Sequence, residues 1–208
     1  MRVDWVPFSA SGLVAGATAL SVSALLMPQA EEAQDMLQLV QDEGGRWMAV
    51  SLLYFAASVA LVIGLPAILT LFERRGFRTG LTAVGVFTVG CVGIAGFAML
   101  LVFFRALVVT NAIDAETIDA VGSEAGLAAV LYGWIAAFYL GELLLSIALF
   151  RARTTPLWIP AILLLHVLLF PVSSLLPDEL QSMTTLLVTV GLCGVGITAN
   201  QNASKVLV

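Results

Sequence analysis

Glu142 interrupts an apolar stretch, Phe138-Tyr139-Leu140-Gly141-Glu142-Leu143-Leu144, and a carboxyl group in such a place invites a chemical explanation. At about 1.5 Å of rise per residue it lies about 12 Å from the end of its apolar run at Phe150, well inside a hydrocarbon layer. A charge near the bilayer centre costs roughly 2.5 to 3.5 kcal/mol on insertion scales, so Glu142 is expected to face a bundle interior, where it is paired, hydrated or protonated. His166, the single histidine, lies in a later apolar run. By the same rise it sits about 14 Å in, so the two share a depth. Tyr132, Tyr139, Glu142 and Ser146 are spaced 7, 3 and 4 apart, which puts them on one face of a helix. Two uses compete for this set. A Glu-His pair can relay protons, since each partner both gives and takes one. Alternatively, the two side chains bond to tyrosines or backbone carbonyls and fix helix positions.

Other candidates carry less. Arg105, in Phe103-Phe104-Arg105-Ala106, falls near the end of its apolar run and can snorkel, pair with Glu124 or another loop carboxylate, or clamp an anionic ligand. Arg46 beside Trp47 reads as an interfacial anchor. Thr185, Thr189, Cys193, Gly196 and Asn200 form a small, polar face on the last run. Cys91 and Cys193 sit in apolar runs without a CxxC or a neighbouring histidine, so they read as small fillers. No nucleophile with its base, metal set, phosphate loop or paired acids is legible, so no catalytic residue, cofactor or metal is assigned. One histidine excludes bis-histidine haem within the chain.

These residues must be held by helices in lipid. With 208 residues, 60% hydrophobic and 11% charged, and a mean hydropathy of +1.03, the chain is too apolar for a soluble domain of its length. A formal charge of -5 disfavours nucleic acid, which needs a basic patch. Apolar runs extend over Phe8 to Met27, Trp47 to Phe72, Leu81 to Thr110, Leu127 to Phe150, Leu157 to Leu176 and Leu180 to Asn200. Each is long enough to cross a hydrocarbon core, and none alternates as a barrel strand would. The first run is kept as a span rather than a signal peptide, because Asp4 offsets Arg2 and the residues around Ala30 fit a cleavage site poorly.

Arg2, Arg74, Arg75, Arg78, Arg151, Arg153 and Lys205, seven of the nine basic residues, fall on one side, which the positive-inside rule makes cytoplasmic. The opposite connections carry Glu31, Glu32, Asp35, Asp42 and Glu43, then Asp114, Glu116, Asp119 and Glu124, then Asp178 and Glu179. Ala33, Met36, Leu37 and Val40 form a helical stripe in the first of these, closed by Gly44-Gly45, which suggests a helix lying on the outer leaflet. Ile113, Thr117, Ile118 and Val121 suggest a shorter one. Leu71-Phe72-Glu73-Arg74-Arg75 and Leu149-Phe150-Arg151-Ala152-Arg153 echo each other 78 residues apart, a hint of related hairpins. Ser9, Gly12, Gly16, Ala19 and Ser23 mark a helix contact face, and Pro66, Pro160 and Pro171 are expected to bend or cap their helices.

Ala112-Ile113-Asp114-Ala115-Glu116 before the fourth span, the short turn containing Arg151, and Pro156 leading into the fifth span together resemble a widespread family of bacterial multi-pass membrane proteins known only as a domain of unknown function. Early in the fifth helix this chain has Pro160 where a glycine is usual. The resemblance implies a bacterial cytoplasmic membrane protein of six helices, and supplies no activity or catalytic residue.

The expected fold is thus a single all-α integral membrane domain over residues 1–208, a bundle of six transmembrane helices with both ends cytoplasmic and short amphipathic helices in the outer loops. The expected function is non-enzymatic binding of a protein partner or an apolar or lipid ligand within the bundle, as an accessory subunit. A small proton-linked transporter or channel using Glu142 and His166 is the alternative, and an intramembrane lipid-modifying enzyme is a second one. Candidate ligand or proton-site residues are Glu142, His166, Tyr139, Tyr132, Ser146 and Arg105. Expected partners are the lipid bilayer, an apolar ligand, and a membrane protein or second copy of the chain.

Overall fold

The computed structural model describes residues 5–28, 32–72, 76–175 and 178–206, with side chains outside the description at 173–175, 178–182, 205 and 206. Arg2, Asp4, Ala30, Glu31, Glu73, Arg74 and Arg75, and the side chains of Asp178, Glu179 and Lys205, on which part of the charge and cleavage readings rests, therefore lie outside the described residues. The described chain is helical without strands: α1 (Val6–Leu26), α2 (Ala33–Asp42), α3 (Gly44–Thr70), α4 (Phe77–Val109), α5 (Ala115–Gly122), α6 (Ala125–Ala152), α7 (Trp158–Leu169), a 3₁₀ segment (Phe170–Leu175) and α8 (Asp178–Val206).

Five helices are long and apolar enough to cross a membrane: α1, α3, α4, α6 and the Met183–Ser204 part of α8. Their outward faces are as apolar as their inward ones. Phe8, Leu52, Met99, Phe103, Leu140 and Ile197 stand exposed, as suits a bundle solvated by lipid rather than water. The run expected over Leu157–Leu176 is α-helical only to Leu169. Pro171 has no N–H to offer the Val167 carbonyl, which takes the Phe170 N–H instead, so the helix tightens to 3₁₀.

The long helices stand around the bundle in chain order: α1 against α3, α3 against α4, α4 against α6, α6 against α7, α7 against α8, and α8 back against α1. Small residues let the backbones meet. Gly16 of α1 lies over Leu61 of α3, where a Cβ would come 2.6 Å from the Leu61 nitrogen, and Gly64 of α3 lies over Leu13. The GxxxG pair Gly12 and Gly16 thus packs within one chain. α4 and α6 interlock reciprocally, with Phe138 seated on Gly90 and Phe87 on Gly141.

The expected consequence of Pro66 is visible as a repaired helix. The Ser9 hydroxyl inserts into α3, donating to the Ile63 carbonyl at 2.8 Å and accepting the Ala67 N–H at 3.0 Å. The polar face of α8 is used in the same way: Thr189 donates to the Ala17 carbonyl at 2.8 Å and pairs with Ser21, joining α8 to α1.

At one end of the bundle α2 packs against α3, α4 and α5. The apolar stripe of α2 does not lie on lipid, as expected from its pattern; Leu37 and Val40 join Trp47, Leu101 and Val108 in a small core of their own. Trp47 is likewise a core residue rather than an interfacial anchor, with its indole N–H bonded to the Leu101 carbonyl at 2.9 Å. Arg46 ties Glu43 to the end of α1 through the Leu26 carbonyl. Glu32, Asp35, Asp42, Glu43, Asp114, Glu116, Asp119 and Glu124 gather at this end, and Arg78, Arg151 and Arg153 lie at the other.

Candidate functional site

The two residues that share a depth in the sequence meet in the structure. Nδ1 of His166 on α7 lies 2.8 Å from Oε2 of Glu142 on α6, and the two side chains are 3% and 0% exposed. α6 presents Glu142 inward because Gly141 beside it meets the Phe87 backbone, which holds α6 hard against α4 and fixes its rotation. α7 is aligned one turn further along by Ser146, whose hydroxyl donates to the Pro160 carbonyl at 2.7 Å.

Tyr139 completes the arrangement by stacking with the imidazole, ring centroids 5.3 Å apart at 26°, and with Phe170, centroids 4.0 Å apart. Oε1 of Glu142 has no hydrogen-bond partner among the described residues. A buried carboxyl with one satisfied and one open oxygen is costly as an inert strut, because an unpaired buried acceptor loses its full hydration.

Above the pair is a cavity of about 260 Å³. Its wall draws on six helices: Leu20 and Ala24 from α1, Tyr54 from α3, Ile94 and Phe97 from α4, Trp134 and Tyr139 from α6, His166 from α7 and Val188 from α8. It occupies the half of the bundle nearest α2 and α5. The other half is filled: Phe72, Phe87, Leu145, Leu149, Ile159 and Leu163 are fully buried. Glu142 and His166 therefore form the floor of a mainly apolar bowl, with His166 the member that reaches its surface.

Of the six candidates, Glu142, His166 and Tyr139 come together, and Ser146 supports them from one turn away. Tyr132 does not join, although its spacing puts it on the face of Tyr139; it is 71% exposed. α7 itself ends at Leu169, and the chain goes on from there as the 3₁₀ segment. Arg105 does not join either. Its Nε donates to the Gly44 carbonyl at 3.0 Å in the α2–α3 corner, and among the described residues it makes no ion pair with Glu124 or another acid. Tyr54, Trp134 and Phe170 belong to the site and escaped the sequence reading. Tyr54, a hydroxyl within the apolar run of α3, was the available signal; Trp134 and Phe170 look like ordinary apolar residues. No group of three or more His, Cys, Asp or Glu side chains suited to a metal forms among the described residues.

Comparison of the chain with family profiles, curated proteins and solved structures gave no match.

Proposed function

We propose that this protein is a non-enzymatic membrane protein that binds an apolar, lipid-like ligand within its bundle. The observation that carries the proposal is the apolar cavity ending on the buried Glu142–His166 pair. Concave, mostly apolar sites with a few convergent polar groups are the common form of small-ligand sites. Access is from the bilayer. Tyr132 and Ile135 of α6 are exposed beside the cavity.

The same reading places the chain in a bacterial cytoplasmic membrane with six spans and both ends inside. The sixth span is α7 with its 3₁₀ extension: 12 residues at about 1.5 Å and six at about 2.0 Å give about 30 Å, the thickness of a hydrocarbon core. The acidic end with α2 and α5 faces outward, and Arg78, Arg151 and Arg153 face the cytoplasm.

Lipid extraction and mass spectrometry of the purified protein test the ligand proposal. One apolar species is expected to co-purify at near-stoichiometric level and to be lost when Ala24→Phe and Val188→Phe fill the cavity. Retention of the species by a folded, filled double variant overturns the proposal.

A second reading, proton transfer, is supported by the hydrogen bond between Glu142 and His166. It requires a route through the close-packed half below the pair. Proton flux into liposomes under an imposed pH gradient, lost in Glu142→Gln, is its expected signature; flux equal to that of empty liposomes removes unaided conduction.

A further inference from the structure

The lining of the cavity restricts what its ligand can be. We infer that the ligand is an uncharged lipid with a flat ring-ketone headgroup, an isoprenoid quinone in its oxidised form. This assignment rests on the reading of the cavity as a lipid site.

Hydrogen-bond polarity comes first. A buried acid–base pair in a low-dielectric interior favours the arrangements without net charge. A carboxylic acid accepting from Nδ1–H would leave its own Oε1–H buried without an acceptor, since Oε1 has no partner among the described residues, and two arrangements remain: carboxylate with imidazolium, and carboxylic acid donating to the Nδ1 of a neutral imidazole. In both, Nε2 carries a hydrogen, and in this structure Nδ1 is the nitrogen held by Glu142. The edge that His166 offers to the cavity is therefore a donor. The hydroxyls of Tyr54 and Tyr139, also in the lining, make no hydrogen bond to a described residue and add two more donors. A ligand that suits this wall brings acceptors, and ring carbonyl oxygens are acceptors only.

Charge and shape narrow the class further. No Lys or Arg lines the cavity, so a phosphate headgroup would be buried without a counter-charge beside Glu142. The wall is rich in ring faces: Trp134, Phe138 and the stacked series His166, Tyr139 and Phe170. At about 260 Å³ the cavity falls below the usual size of sites that enclose a whole drug-sized ligand, roughly 300 to 1,000 Å³. It has room for a ring and its substituents but not for a long tail. The tail leaves into the bilayer beside Ile135, which lines the cavity and is exposed on α6.

The test uses the full chain in nanodiscs of synthetic phosphatidylcholine, titrated with a short-chain benzoquinone and a short-chain naphthoquinone while tryptophan emission is followed. Of the four tryptophans, Trp134 lines the cavity, and a quinone ring beside it quenches its emission. Saturable quenching is expected, absent in Trp134→Phe. Tyr54→Phe and Tyr139→Phe, which keep the ring packing, are expected to weaken binding about two- to tenfold each. The reduced quinol and diacylglycerol are expected to compete less well than the quinone. Quenching that rises without saturating, or affinities unchanged in both tyrosine variants, overturns the quinone assignment. Extracted lipid separates the two proposals: a bound lipid lacking a ring carbonyl sinks the quinone and leaves the lipid site standing, whereas no bound lipid and no quinone binding sink both.

Discussion

Replacing Glu142 by leucine would leave the His166 imidazole buried without its partner, and breaking a buried pair in this way is expected to destabilise the fold by about 3 to 5 kcal/mol. Glu142→Gln keeps a side-chain amide that can bond Nδ1 as donor or acceptor, so its loss is expected to be smaller, about 1 to 2 kcal/mol. Thermal unfolding in detergent should rank wild type above Glu142→Gln and Glu142→Gln above Glu142→Leu. Equal midpoints for the two variants would show that the hydrogen bond contributes little. Ser9→Ala makes a parallel case far from the site. It leaves the Ala67 N–H and the Ile63 carbonyl at the Pro66 break without the hydroxyl that joins them, and about 1 to 3 kcal/mol of destabilisation is expected. A Ser9→Ala midpoint equal to wild type would show that the helix break repairs itself.

Glycine positions separate helix contact from helix propensity. Gly141 and Gly85 both lie within transmembrane helices, yet a Cβ at Gly141 runs into the Phe87 backbone, while one at Gly85 meets nothing within 4 Å. Gly141→Ala is expected to push α6 from α4 and cost about 1 to 3 kcal/mol. Gly85→Ala, freed of that collision, is expected to be neutral or to stabilise by up to about 1 kcal/mol. The order of their unfolding midpoints checks this, and a reversed order would contradict the α4–α6 interlock.

Outside the membrane, α5 is governed by its cap. The Thr117 hydroxyl and then its N–H bond to Asp114 and hold that carboxyl below its ordinary value of 3.8. Because the folded-state value is the lower one, the cap acts fully above the ordinary value and is lost as pH falls through the depressed one. Amide exchange over α5 is therefore expected to speed up on acidification below 3.8, beyond the intrinsic pH dependence. Asp114→Asn should keep the cap and remove that extra acceleration; an Asn variant with the same acid response would assign it to another group.

At the scale of the whole molecule, the division between a filled half and a hollow half matters most. α1, α3, α4, α6, α7 and α8 close into a ring, and α7 gives way to a 3₁₀ segment at Phe170, where the chain passes the cavity. The close-packed half thus makes an enclosed floor for the hollow one. The proposed orientation also has a direct check. Ser123→Cys, in the acidic outer connection, is expected to react with an impermeant thiol reagent on intact cells, and Arg153→Cys only after the membrane is opened. Labelling in the reverse order would invert the proposed topology.

Apolar runs, their lengths and the position of charges between them were enough to give an all-helical membrane bundle. Each long helix is a local consequence of its own residues: the backbone must satisfy itself within lipid, and about 20 apolar residues suffice to do so. The depth that Glu142 and His166 share was legible for the same reason, since helix rise converts position in the chain into height. Rotation and neighbour order were not legible, because helices that are apolar all round carry no moment that points inward. That ambiguity misplaced Tyr132, which shares the spacing of Tyr139 yet stands exposed. It also left Tyr54 and Trp134 unremarked. The 2.8 Å contact between Glu142 and His166, the ring of helices and the cavity above them were decided by tertiary structure, through close approaches at Gly16, Gly90 and Gly141 and the early end of α7. Such contacts depend on which surfaces meet, and spacing along one chain segment does not contain that information.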